Sequence, residues 1–207
     1  MSDHDLMAAI FSDWQPAIAN AVKDTLVPAE LVAALVANES GGKPNAQRFE
    51  PAVFTEIAEV LAGKRTRFAP PGISRPLMSA DLLPFVAPGE PFAIGFDLGA
   101  YAVDCFRRVA ELATSVSLLQ IMGWHWIEFD RPPSLRPEDQ LAFGVLLLVY
   151  FANKYTLDLA ADAAKLFSCW NTGEPGGHTY DAKYVPNGLA RMELYRSIAG
   201  LAGPSAT

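Results

Sequence analysis

The residue best placed to do chemistry is Glu39, in the stretch VANESGG from Val36 to Gly42. On a helical wheel, Leu31, Val32, Leu35 and Val36 fall within roughly 80° either side of it. Glu39 therefore sits mid-stripe on an apolar face, at the carboxyl end of its helix. Burial withholds water from a carboxylate, and the negative pole of the helix dipole opposes it further, so both effects favour the protonated acid. A glutamic acid that keeps its proton near neutral pH is a general acid, able to deliver that proton to a leaving oxygen. The small residues Ser40, Gly41 and Gly42 leave room for a ligand to approach the backbone. The structural alternative is a helix that frays after Asn38, turning Glu39 to solvent or into a pair with an arginine such as Arg48.

Glycoside cleavage in general uses two carboxyl groups. Glu50, Glu56, Asp97 and Asp104 are candidates for a second acid, with Glu50 in RFEPAVF the best of them. Glu50 has its own structural alternative, pairing with Arg48 or opening a helix where acid suits the dipole. Cys169, His178 and Asp181 are the residue types of a thiolate-imidazole site, but they crowd into one turn region. Cys105 and Cys169 lack metal-ligand spacing and read as small core residues. His4, His125 and His178 have no metal spacing either, so no metal and no cofactor is expected.

The elements that must position these residues are mainly helical, because apolar residues recur at a period near 3.6 while alternating strand patterns are scarce. Leu6, Ile10, Trp14, Ile18 and Val22 mark a helix over 5–23. Pro28 opens the next, which Gly41 and Gly42 stop. FEPAVFTEIAEVLAG reads as a helix ended by Gly63. The proline-rich stretch from 64 to 96 reads as a loop-rich insertion, and helical periodicity resumes over 97–113. Pro137, Glu138 and Asp139 open a buried helix containing LAFGVLLLVYF. Thr156 is the expected cap of the following helix, which Asn171, Thr172 and Gly173 break. A last helix runs from Tyr184 or Pro186 to Ala199. The organisation is all-α in one domain over 1–207, with an N-terminal helix within 1–27 and a core over 31–195.

Composition excludes several classes. With 207 residues, 51% apolar and 19% charged, the chain can bury one sizeable core. A net charge of −7 and scattered basic residues argue against nucleic acid as a partner. The longest apolar run, Leu141 to Phe151, has 11 residues, against about 20 for a spanning helix, so no membrane insertion is expected. The amino terminus carries acids where a secretory signal is basic.

Three separated stretches together resemble the goose-type lysozyme and soluble lytic transglycosylase superfamily, in particular its phage-associated N-acetylmuramidase branch. They are ANESGG, SVSLLQIMG from Ser115 to Gly123, and CWNTG from Cys169 to Gly173 followed by Tyr184 and Val185. RFEPAVF is similar to an element after the catalytic glutamate in that branch. The resemblance implies a lysozyme-like fold, peptidoglycan glycan strands as substrate, and Glu39 as the catalytic acid. Ser115, Gln120 and Met122 would line the sugar cleft, with Trp170, Asn171 and Tyr184 opposite. The implied reaction is that of a lytic transglycosylase, with hydrolysis by an N-acetylmuramidase as the alternative. A non-catalytic wall-binding or virion structural protein is the alternative of another class. Such a protein would act at the bacterial cell wall, reached from the cytoplasm without a visible signal peptide, as a phage endolysin, virion lysin or secreted effector. Two departures stand out: Ser117 occupies a position usually held by glycine, and Trp170 replaces a tyrosine.

Overall fold

The computed structural model describes residues 1–86, 101–132 and 134–200, apart from the side chains of 101–104. Among these residues the protein is mainly helical, with helices α1 (Asp3–Val22), α2 (Ala29–Glu39), α3 (Pro51–Leu61), α4 (Ser79–Val86), α5 (Tyr101–Leu112), α6 (Trp124–Glu128), α7 (Pro137–Tyr155), α8 (Ala163–Thr172) and α9 (Tyr184–Ile198). Three short strands, β1 (Gln47–Phe49), β2 (Thr114–Val116) and β3 (Ile121–Met122), form one antiparallel sheet in the order β1-β2-β3.

The first hydrophobic core surrounds α2. Leu31 through Val36 have no exposed surface, because α2 is enclosed by α1, α7 and α9. Pro28 holds the extended conformation before the first turn, as its fixed ring favours. Past the other end Gly41 and Gly42 adopt φ of 60° and 79°, values cheap for glycine alone, and the Gly42 N–H returns to the Val36 carbonyl at 3.4 Å. The helix does not fray before Glu39. Helix α1 packs its Leu6, Met7, Ile10 and Ile18 into the same core, and a reciprocal Ser2–Asp5 capping box starts it.

A second core lies beside the first. Ile57 and Val60 of α3, Leu82 and Val86 of α4, Val109 and Leu112 of α5, and Trp124 and Ile127 of α6 enclose Phe68 and Leu77. Those last two residues pair as an isolated antiparallel bridge. The stretch from 64 to 96 is thus more than a loop over its described part: it contains α4 and buries its own apolar residues. Residues 87–96, and the start of the helix expected at 97, lie outside the described residues.

Other expectations need correcting. Phe49 is in β1 and not in the helix that follows. Ser115 to Met122 is a hairpin, with Leu118 and Leu119 at its turn fully buried. Thr156 is the left-handed C-cap of α7, φ 54°, while α8 begins after Asp162. Cys169 is buried, but Cys105 is exposed. Among the described residues no helix is long and apolar enough to cross a membrane.

Candidate active site

Helix α2 ends on Glu39, and helix α9 begins on Tyr184; the two helices pack together so that the Tyr184 hydroxyl donates to Glu39 Oε1. Tyr184 is buried and its ring meets Phe167 of α8 edge-on, 6.3 Å between centroids. Its backbone carbonyl accepts from Asn38 Nδ2 at 3.0 Å. Asn38 Oδ1 in turn accepts from Arg191 at 2.7 Å, and Arg191 pairs with Asp3 of α1 at 2.7 Å. The Tyr184 ring and the Asn38 amide are thereby each fixed by further partners.

Removal from water dominates the protonation of Glu39. Burial raises its pKa from 4.5 to about 7, while the Tyr184 hydrogen bond and the charge of Arg48 pull it down by less. The Tyr184 phenol is pushed well above its ordinary value by burial and then by the neighbouring carboxylate. It stays protonated and donates to Glu39. With Oε1 occupied as acceptor, a proton on the carboxyl group resides on Oε2, the oxygen left for a ligand.

Arg48 lies on β1, opposite Ser115 of β2, which is opposite Met122 of β3. Side chains directly opposite in a sheet share a face, so Arg48, Ser115 and Met122 do. Arg48 Nε contacts Glu50 Oε1 at 2.6 Å, and its charge is felt at both Glu39 and Tyr184. Glu50 is thus drawn to Arg48. It occupies the N-cap position of α3 without capping it.

The second motif is held by its own polar groups. Ser115 Oγ donates to Gln120 Oε1 at 3.0 Å. Gln120 Nε2 donates to the Ala46 and Ser117 carbonyls, both at 2.9 Å. The Ser117 N–H also reaches Ala46 at 2.8 Å. These bonds tie the hairpin to the chain that leaves Glu39. Both Ser117 and Gln120 have positive φ, 67° and 49°. The turn that glycine usually supplies is therefore kept, with serine accepting the strain.

The third motif meets the second at Gly144 of α7. A Cβ there would overlap Leu119 and lie 3.3 Å from the Trp170 ring. Trp170 is partly buried against the first core, whereas Asn171 is exposed. After α8, Gly173 packs on Gly72 of the 64–96 segment, and neither has room for a Cβ. That segment is strapped down further: Tyr150 bonds the Gly72 carbonyl at 2.9 Å, Lys154 the Ile73 carbonyl at 3.0 Å, and the buried Glu128 accepts from the Ser74 N–H. Glu128 also holds His125 Nδ1 at 2.6 Å.

No family model matches the chain, and the comparisons with curated proteins and with solved structures returned no match. Glu39, Arg48, Glu50 and Tyr184 form one connected group, and Ser115, Gln120 and Met122 adjoin it through β1 and Ala46. Trp170 and Asn171 join through α8, by way of Phe167. Asp97 and the side chain of Asp104 lie outside the described residues. Glu56 is drawn to Arg65 at 3.4 Å. Burial raises the Cys169 thiol to about 11, leaving little thiolate at neutral pH. Among the described residues no three His, Cys, Asp or Glu side chains gather as a metal site.

No motif marks Asn38 as a partner of Tyr184, or Arg191 as a partner of Asn38. Their signal is positional: Arg191 follows Tyr184 by seven residues, two helical turns, and so shares its face.

Proposed function

We propose that the protein is a peptidoglycan lytic transglycosylase of lysozyme-like fold, cleaving the β-1,4 bond between N-acetylmuramic acid and N-acetylglucosamine with Glu39 as its single acid and base. The observation that carries this reading is a glutamate at the end of a buried helix, its pKa raised to about 7 and one oxygen held by Tyr184. The order of the three motifs adds to it, as does their connection around that carboxyl group.

In this mechanism Glu39 Oε2 gives its proton to the glycosidic oxygen as the C1–O bond breaks. The positive charge that develops at C1 faces the new carboxylate, whose field is strong in a site poor in water. The muramic acid 6-hydroxyl then bonds to C1 and returns its proton to Glu39. No water is consumed, and the product is a 1,6-anhydro sugar. Tyr184 keeps Oε1 oriented throughout, and Asn171 and Trp170 are the residues offered for binding sugar beyond the reacting bond.

Hydrolysis of the same bond is the second reading, in which another acid holds the water. Glu50 is the candidate, and its engagement by Arg48 at 2.6 Å favours the single-acid reaction. A protein without this activity, binding the wall or building a virion, would have no use for a glutamate kept protonated at a cost to folding. The protein would act at the bacterial cell wall, carried there by phage lysis, by a virion or by secretion.

Digestion of purified peptidoglycan followed by mass spectrometry tests the proposal. Anhydro ends, one water lighter, are expected. Reducing ends would transfer the assignment to a muramidase, and activity surviving in Glu39→Gln would overturn the role of Glu39.

A further inference from the structure

Arg48 is a cation whose charge acts on Glu39, and a free guanidinium there would draw the carboxyl group toward its ionised form. Its charge does lower the proton affinity of Glu39, but less than burial raises it. A counter-charge lies directly beside it. Glu50 stands two residues along the same chain, and its Oε1 lies 2.6 Å from Arg48 Nε. The contact lacks hydrogen-bond alignment, so it is a charge pair that fixes where the guanidinium rests. Glu50 itself is well anchored. Its N–H donates to the Ala113 carbonyl at 2.8 Å, and its carbonyl accepts from Phe54 at 3.0 Å, in the first turn of α3. As an N-cap residue, its side chain could have turned onto the α3 amides, yet it does not.

We propose that Glu50 is a positioning residue whose task is to hold and neutralise Arg48, so that Glu39 keeps its proton until a substrate arrives. This rests on the reading of Glu39 as the proton donor. Glu50 then touches neither substrate nor water in the reaction. It acts on the acid through the arginine, which is a different assignment from that of a second catalytic carboxylate.

The titratable and charged groups that act on the protonation of Glu39 are Tyr184 and Arg48. Tyr184 of α9 donates to it, Arg48 of β1 acts through space, and Glu50 pairs with Arg48. Arg191 of α9 is engaged by Asn38 and by Asp3 of α1. Of these cations, Arg48 has a side chain 74% exposed and is held by Glu50; Arg191, at 15%, is held by Asp3 and Asn38.

The experiment is a titration of the Glu39 side-chain carboxyl by carbon-13 NMR, assigned by its loss in Glu39→Gln, in the full chain without substrate. Wild type, Glu50→Gln, Arg48→Gln and the double variant are compared. Glu50→Gln should lower the Glu39 midpoint by about half a pH unit or more, and Arg48→Gln should raise it. In the Arg48→Gln background, the effect of Glu50→Gln should largely vanish. An unchanged midpoint in Glu50→Gln overturns the proposal. So does a shift of full size in the Arg48→Gln background, since Glu50 would then act directly. On peptidoglycan, Glu50→Gln should move the alkaline limb of the pH profile down by as much as it lowers the Glu39 midpoint. Loss of turnover at every pH with the Glu39 midpoint unmoved would make Glu50 a catalytic carboxylate. If wild type cleaves no glycan, the proposed function fails, but the titration still decides the link between Glu50 and Arg48.

Discussion

The Tyr184 hydroxyl donates to Glu39 Oε1 across the junction of α2 and α9, two residues 145 positions apart in the chain. The bond stabilises the carboxylate form, and so opposes the burial that raises the Glu39 pKa. Tyr184→Phe removes the donor and keeps the buried ring. The Glu39 midpoint should rise above about 7, and the alkaline limb of the lytic pH profile should rise with it. The maximum rate should fall by about 10-fold or more as the acid loses its orientation. Turbidity clearing of isolated walls between pH 5 and pH 9, on the order of a few tenths of a unit per step, reads both effects.

Glu39 also weighs on stability, and the sign is fixed by its raised pKa. Between the ordinary value of 4.5 and about 7 the folded protein holds a proton that the unfolded chain has released. Its contribution is therefore intact below the lower value and lost as pH rises through the upper one. Glu39→Gln should leave stability near pH 4 little changed and add about 1–3 kcal/mol at pH 8. Denaturant unfolding at the two pH values measures the difference. A variant that is inactive yet more stable is expected where a site holds an ionisable group away from water.

Ser117 carries a left-handed backbone, φ 67°, and its hydroxyl is buried without a hydrogen-bond partner. Ser117→Gly should relieve both, stabilising the protein by about 1 kcal/mol. Thermal unfolding checks this, and the turn itself should be kept, because the Ser117 N–H bond to the Ala46 carbonyl needs no side chain.

The two thiols should react very differently. Cys105 is exposed and Cys169 buried, with the latter's pKa pushed up to about 11. Iodoacetamide at pH 8 should label Cys105 alone, as read by peptide mass spectrometry. Cys169→Ala should keep full activity on peptidoglycan, at a stability cost of about 1 kcal/mol for the small cavity.

Where chain conformation is decided locally, the sequence was legible. Pro28 before α2 and the pair Gly41-Gly42 after it bound the helix as their backbone preferences require, and the apolar stripe correctly placed Glu39 among buried neighbours. The sheet was not legible, because strands of two or three residues are too short to show alternation, and QIM resembles a helix start as well as a strand. The burial of Phe68 and Leu77 was hidden for another reason: proline-rich local sequence reads as loop, while what orders it is contact with α3, α5 and α6. Thr156 carried a helix-start residue type, yet a left-handed C-cap accepts it too. The pairing of Glu50 with Arg48 stood in the sequence as one of two alternatives, and only tertiary structure separates them.

The contact of Gly72 with Gly173 joins the 64–96 segment to the turn that ends the third motif. Tyr155 completes that junction by bonding the Gly173 carbonyl at 2.7 Å. Seen as a mechanical linkage, the segment is a tie-rod: one end is built into the second core and the other is bolted to Gly173, the residue that caps the helix end carrying Asn171. Gly173→Ala would therefore be felt in two places at once. The tie would be forced off its seat at the Pro71 carbonyl, and Asn171 would lose its alignment without being touched. A protease cut in this segment should likewise slacken a residue that lies far from the cut along the chain.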